Sequence, residues 1–523
     1  MKEAAPQAMF VIVERIIQLV PQLATIILIS HLLGRTFFGD YALVLTWSAT
    51  FQLFAHFAIT ECLSREMAHE PGESQRHFLH GLVLAALLSA AVLPVMLAVA
   101  WAFRYSPEVT HAIWLAAVLL PAAGVLAACR AALLVRQRIE YMLAVALLEA
   151  LIVLPVNIHW VLAGSGLLPI VGTIVAGRWI AAAACLIAVH RLAVPLAGPV
   201  RRATLKALWQ KLLPYGIGSL LIFPNVRFDV LILSKLAIAA QIGLYLAAVK
   251  FLDVLFIVPL SFFMVMLPRT AAVFASPRPD LAWLERALAW YFALAMPAGF
   301  GILVFARGLV LTIYGPQFGG TTILLQLQMI TFLLLAVDVA LAMIIKAAGY
   351  QRVDVRFVGV STSSNVALCF ILIPLAGGIG AALALIVSVC AGVVLRWRFV
   401  HRDVARLGWG LIAARPFALA GVLAIMAGLA GNAAPWPLLA LAYAASYVML
   451  AVWCLPAIGA GVRGLLRIDD RIDDRVVGQD VREVRVGRER QQVADVLPDE
   501  LIRLGDELLR DVHDVKGRQR DVG

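Results

Sequence analysis

Apolar residues in this chain come in long unbroken runs, not in the alternation of a half-buried strand or the narrow stripe of a soluble amphipathic helix. A helical run of about 20 residues crosses a hydrocarbon core. About fourteen such runs follow one another, at 7-33, 38-60, 79-103, 111-131, 140-163, 168-190, 212-236, 242-268, 286-312, 321-346, 356-376, 378-398, 416-432 and 436-462. Short connectors holding Gly, Pro or charges separate them, the tightest at 375-380. The pattern predicts an all-α, polytopic membrane protein of about 14 transmembrane helices.

Polar positions organise the runs. The stretch from Pro214 to Pro259 reads as two consecutive spans yet contains Arg227, Asp229, Lys250 and Asp253, and its first span also carries Gly216, Gly218, Pro224 and Asn225. Each charge at a helix centre costs roughly 2.5–3.5 kcal/mol on the insertion scale, and broken backbone needs internal partners. The pair therefore lines a hydrophilic cavity. The connectors also carry an internal repeat: Ser30-x8-Gly39-x-Tyr41 joins the first two spans and Ser234-x8-Gly243-x-Tyr245 joins the seventh and eighth, offset by 204 residues, with Leu two places after each Ser. Six spans separate the copies, so two parallel six-helix lobes are expected, related by an axis along the membrane normal. The expected organisation is an N-terminal lobe at 1-195, a linker at 196-211, a C-terminal lobe at 212-400, two additional helices at 401-462 and a charged, disordered tail at 463-523. Within the tail, Leu497, Leu501, Leu504, Leu508 and Val512 fall at helical spacing.

Lys and Arg set the orientation. With the N-terminus cytoplasmic, 22 of them before the tail flank the cytoplasmic side and only Arg35, Arg104, Lys235 and Arg307 the other, so both termini are expected inside. Composition agrees with a bilayer protein: 62% of residues are apolar and 14% charged. The six cysteines lie far apart without a C-x-x-C pair and promise neither a disulfide framework nor a zinc site. Walker A, G-x-S-x-G and H-E-x-x-H motifs are absent from the sequence. His69, His77 and His80 cluster after the second span, where a solvated face is the plainer reading than a metal site.

Several deep charges are candidates for chemistry. Arg15, Gln18, Gln22 and Thr25 form one stripe on the first span, with Glu14 beside it; the alternative is that Glu14 and Arg15 reach the nearby interface. Asn225 and Asp229 share a helix face, while Lys250 and Asp253, three apart, can pair locally. Glu149 and Arg178 fit a structural ion pair, and Asp338 fits either an ion-coupling carboxylate or a bond to a neighbouring helix. If Arg15, Arg227 and Lys250 converge, the site suits an anion, because guanidinium forks bind phosphate oxygens in pairs.

The chain resembles the polysaccharide transporters of the superfamily that also holds multidrug and toxin extrusion pumps and lipid II flippases. The resemblance covers roughly positions 7 to 400. It rests on Leu33-Gly34-Arg35-Thr36-Phe37-Phe38-Gly39-Asp40-Tyr41 and on Glu61-Cys62-Leu63-Ser64-Arg65-Glu66-Met67-Ala68, where Met67 interrupts the family's ending. Later matches are Arg227-Phe228-Asp229, Ile242-Gly243-Leu244-Tyr245-Leu246-Ala247-Ala248-Val249-Lys250, Val258-Pro259, Leu267-Pro268, Tyr314-Gly315-Pro316-Gln317-Phe318 and Gly377-Gly378-Ile379-Gly380-Ala381-Ala382. The resemblance implies a flippase in the bacterial inner membrane. It would carry undecaprenyl-diphosphate-linked oligosaccharide repeat units for O-antigen, capsule or exopolysaccharide assembly, with membrane lipid, a polymerase and glycosyltransferases as partners. No cofactor, metal or nucleic acid is implied. Arg15, Gln18, Gln22, Arg227 and Lys250 would hold diphosphate and sugar, and Glu14, Asn225, Asp229, Asp253 and Asp338 would line the cavity or couple an ion. A drug or cation antiporter, a lipid II flippase and a polytopic glycan polymerase are the other readings.

Overall fold

The computed structural model describes residues 4–138, 140–192, 200–222, 228–237, 239–276, 280–430 and 435–454, which are nearly all helical and include no strand. Asn225, Arg227 and the whole tail at 463-523 with its leucine series fall outside these residues, and Arg15 is placed only as part of the first helix. The first half comprises α1 (Ala4–Leu32), α2 (Gly34–His56), α3 (Ile59–His69), α4 (Ser74–Ala102), α5 (Pro107–Ala117), α6 (Leu119–Val135), α7 (Glu140–Leu162) and α8 (Leu167–Arg191). The second holds α9 (Arg202–Ile222), α10 (Phe228–Leu236), α11 (Ala239–Leu255), α12 (Ile257–Ala275), α13 (Leu281–Tyr314), α14 (Thr321–Ala347) and α15 (Gln351–Phe399), followed by α16 (Arg415–Leu429) and α17 (Trp436–Cys454).

Among the described residues ten helices are long and apolar enough to cross a membrane, and Ile17–Leu32 and Trp436–Ala451 are shorter apolar ones. The span Gln351–Val404 has 54 residues and would be about 80 Å long if straight, more than twice a ~30 Å hydrocarbon core. Instead it doubles back at Gly377, whose φ of 55° and ψ of −129° favour glycine. Ser361 Oγ then donates to the Ser388 carbonyl at 2.8 Å across the two arms. This bend falls inside the tight 375-380 connector. Prolines stand within α1, α4, α7, α12, α13 and α15, of which Pro21 in α1 is buried. α5 begins on a Ser106 cap that accepts from Val109 N, with Pro107 at the first helical position.

The repeat is expressed as matched packing. Trp47 on α2 meets Tyr105 edge-on at 6.0 Å, and Phe251, 204 places later on α11, meets Tyr314 edge-on at 5.9 Å. Each tyrosine begins a Tyr-x-Pro connector, at Tyr105-Ser106-Pro107 and Tyr314-Gly315-Pro316. α2 and α11 pack on one another. Their repeat glycines allow it: a Cβ on Gly243 would stand 2.4 Å from the Arg35 carbonyl oxygen and 3.2 Å from Gly39 N.

The halves are tied at both ends. At the α1–α2 end, Gln317 Nε2 donates to the Ser30 carbonyl at 2.6 Å and His31 Nε2 to the Ile313 carbonyl at 3.0 Å. Tyr105 meets Ser234 Oγ at 2.5 Å, and Lys235 Nζ lies 4.5 Å from the Tyr105 ring centroid. At the other end α9 leans on the first half through Lys211 with Glu66, Arg76 Nη2 donating to Thr204 Oγ1 at 2.6 Å, and Arg201 N donating to His80 Nε2 at 3.1 Å. α16 and α17 pack on α13, where Tyr443 and Trp436 lie over Gly301 and Gly308.

Candidate functional site

The break between α2 and α3 shapes the site. Phe57 and Ala58 have φ of 21° and 55°, a region that side chains other than glycine seldom adopt. Packing holds them there, since Phe57 rests on Gly216 and stacks on Trp209 with centroids 6.2 Å apart. The redirected α3 brings Thr60, Glu61 and Ser64 onto the same cavity as Gln52 and His56 of α2. α1 adds Glu14 and Gln18, α6 Arg130, α7 Glu149 and α8 Arg178. The cavity measures about 720 Å³ and lies within the first half, toward the end where α6 closes and α7 begins.

Its charges are mostly paired. Arg130 Nη2 donates to Glu14 Oε2 at 2.9 Å, and Gln18 Nε2 to Glu14 Oε1 at 3.2 Å. Glu14 is 0% exposed, so it does not reach the interface as the alternative reading supposed. Arg178 Nη1 donates to Glu149 Oε2 at 3.2 Å, joining those two residues on the cavity wall. A pocket of about 50 Å³ continues between α1, α2, α7 and α8, lined by Gln18, Gln22, Thr25 and Asn157 among others. There Thr25 Oγ1 and Asn157 Oδ1 are buried without a hydrogen-bond partner among the described residues.

The remaining sequence candidates lie elsewhere. Lys250 Nζ is 3.6 Å from Asp253 Oδ2, the local pair allowed by their spacing. Asp229 accepts from Tyr245 Oη at 2.5 Å, joining α10 to the repeat tyrosine of α11. Asp338 accepts from Arg396 Nη1 at 2.5 Å, while Arg396 Nε donates to Asp354 Oδ1 at 2.8 Å and Lys346 Nζ reaches Asp354 Oδ2 at 3.1 Å. This tetrad carries no net charge and borders a pocket of about 120 Å³ under Phe256, which precedes α12, and Leu260 and Phe263 of α12.

Sequence reasoning did not select Gln52, His56, Thr60, Glu61 or Ser64, nor the partners Arg130, Lys346, Asp354 and Arg396. The last four sit at the ends of apolar runs, where charges count as flanks, yet Asp354 is 1% and Arg396 4% exposed. A signal for the α2–α3 residues existed in the i, i+4 series Gln52, His56, Thr60, Ser64 along one face.

Near the α3–α4 turn, ligand-type atoms of Glu70, Glu73 and His77 lie within 4.8 Å of one another. Two internal pairs occupy them. Glu73 takes Arg76 Nη1 at 2.8 Å and Glu70 takes His77 Nε2 at 2.9 Å, which holds the Glu70 carboxyl below its ordinary range.

A family model described as polysaccharide biosynthesis protein matches residues 28–322, more than half of the chain. A search of curated proteins gives no match. Among solved structures, the lipid II flippase MurJ in an inward closed conformation superposes with a TM-score of 0.69 at 12% identity, covering 85% of this chain and 98% of that one. An inward-facing multidrug resistance MATE family transporter of the MOP superfamily gives 0.57 at 14% identity, covering 74% and 98%. A eukaryotic MATE transporter gives 0.56 at 16%, covering 80% and 98%. At these identities the likeness is one of fold. With that fold, its apolar helices and the family match, the chain is a multi-pass membrane protein belonging to the polysaccharide biosynthesis protein family.

Proposed function

We propose that the protein is a flippase moving undecaprenyl-diphosphate-linked oligosaccharide repeat units from the cytoplasmic to the periplasmic leaflet of the bacterial inner membrane. The observation that carries this reading is a cavity of about 720 Å³ lined by five ionic side chains together with amides and hydroxyls, inside a helical bundle of this family. Such a space, in which amides, hydroxyls, carboxylates and guanidinium groups stand among apolar side chains, solvates a sugar while the lipid tail stays in the bilayer. The excess of Lys and Arg at the cavity end supports a cytoplasmic reading of that end, with both termini inside. Alternating access of the two halves would carry the glycan from that end to the other. Arg15, Arg227 and Lys250 are the proposed holders of the diphosphate, Gln18 and Gln22 of the sugar. Asp229 and Asp338 are the proposed ion-coupling groups. The work is transport and not bond-making, with glycosyltransferases upstream and a polymerase downstream.

Proteoliposomes test this directly. Protein-dependent movement of a lipid-linked oligosaccharide, read by the fraction of glycan open to an external glycosidase, is expected. One observation favours a second reading, drug or cation antiport: Glu14, Glu61 and Glu149 outnumber Arg130 and Arg178 on the cavity wall. Uptake of an organic cation with no movement of any lipid-linked glycan would replace the first reading with the second.

A further inference from the structure

The internal repeat places like polar groups in both halves but satisfies them in only one. In the second half Tyr245 Oη donates to Asp229 at 2.5 Å, Asn365 Nδ2 donates to Ser388 Oγ at 3.3 Å, and the Cys369 thiol lies 3.8 Å from Asn365 Oδ1. Tyr41 and Thr25 precede Tyr245 and Asp229 by 204 places, and Asn157 precedes Asn365 by 208. Threonine therefore stands where the second half has its acid, and Val161, one turn past Asn157, stands where it has Cys369. Thr25 has a shorter reach than an aspartate, and a valine donates nothing.

The first-half copy is left open. Tyr41, Thr25 and Asn157 are 1%, 2% and 1% exposed, and all three line the pocket of about 50 Å³ between α1, α2, α7 and α8. Thr25 Oγ1 and Asn157 Oδ1 have no partner among the described residues, so the Tyr245–Asp229 bond has no counterpart here. Buried polar atoms without partners are rare. Something that both donates and accepts completes this set, and the size of the pocket limits what it is. About 50 Å³ exceeds the space one water needs and admits a short polar arm, not a pyranose ring. Gln18, Glu149 and Arg178 belong to this pocket and to the 720 Å³ cavity alike, so a ring in the cavity can lodge such an arm here. The lining groups are of mixed sense: tyrosine and threonine hydroxyls and the asparagine amide each donate and accept, and Arg178 keeps N–H groups beyond the one given to Glu149. A hydroxyl meets every one of them, and a methyl meets none. A bare cation is served less well, because Glu149 already takes Arg178 and the acid of the second half is missing.

We infer that this pocket receives the hydroxymethyl arm of a hexose whose ring sits in the larger cavity, with Tyr41, Thr25 and Asn157 as specificity-determining residues that favour hexoses over 6-deoxyhexoses. The inference rests on the transport reading above, and the test separates the two. The full chain is reconstituted with two undecaprenyl-diphosphate-linked tetrasaccharides of the same linkages, one built of hexoses and one of the matching 6-deoxyhexoses. The initial rate for the hexose lipid should exceed that for the deoxy lipid about tenfold or more, because a methyl in the pocket strands the polar groups around it. Thr25→Val combined with Asn157→Leu should narrow the ratio to about twofold. Thr25→Asp, which restores the acid of the second half, should close the pocket on Tyr41 and bring the hexose lipid down to the rate of the deoxy one. Wild-type rates within twofold of each other mean that the pocket holds ordered water only; they overturn the inference and leave transport standing. So does a ratio that neither variant lowers in protein keeping the wild-type melting temperature. Movement of neither lipid by wild type overturns the transport reading and this inference with it.

Discussion

Adding one carbon at Gly243 tests whether the α2–α11 contact closes one end of the bundle. A Cβ at that position would stand 2.4 Å from the Arg35 carbonyl oxygen, 3.2 Å from Gly39 N and 3.3 Å from Gly39 Cα. All three are backbone atoms, so no rotamer change relieves the overlap, and α2 must part from α11. Overpacking of this kind costs about 1–3 kcal/mol. Gly243→Ala should therefore weaken the closed arrangement by roughly 5- to 150-fold relative to one in which these helices separate. Spin labels at Leu32 and Leu236, exposed positions closing α1 and α10, report the change as a distance. The variant should show a second, longer population, or a lowered melting temperature if no separated arrangement is stable. A distance distribution and melting temperature both equal to wild type would refute the contact's role.

Arg130→Ala strands the buried Glu14 carboxylate and should lower stability by about 3 kcal/mol, read from thermal unfolding in detergent, with Glu14→Gln added to Arg130→Met recovering most of it. Asp354→Asn should cost more than Asp338→Asn, since Asp354 neutralises both Lys346 and Arg396 whereas Arg396 retains Asp354 when Asp338 is lost; the order of melting temperatures checks this. At the α3–α4 turn, the hydrogen bond from His77 depresses the Glu70 carboxyl below its ordinary value of 4.5. A depressed folded value contributes stability above the unfolded one and loses it as pH falls through the folded one. The gap between wild type and Glu70→Gln should thus be widest near neutral pH and close below about pH 4.

The fold was legible because one physical signal, the length of apolar runs, fixes helices in a bilayer without help from tertiary detail. The repeat was legible at only three positions, Ser30, Gly39 and Tyr41 against their copies, although it extends further. Trp47 and Phe251 are unlike in name but alike in size and ring contact, and the two Tyr-x-Pro connectors lie 209 places apart rather than 204. Symmetry of packing survives such substitution and slippage; identity in a sequence does not. The kink at Phe57–Ala58 left no mark of its own, because it is held by Gly216 and Trp209 from α9, more than a hundred residues away.

The site was less legible for a reason that follows from the cost of charge in a bilayer. An unpaired ion at mid-depth costs roughly 2.5–3.5 kcal/mol even on the lenient scale, so deep charges settle in neutral sets. Glu14 takes Arg130 from 116 positions away, and Arg396 takes Asp354 and Asp338 from 42 and 58. A one-dimensional pattern shows that each charge needs a partner but not which one, and it counts Arg130 and Arg396 as flanks because their runs end beside them. The same cost explains why Glu61 stands apart. A carboxylate is tolerable where water reaches it, and Glu61 is exposed on the cavity wall rather than packed between helices.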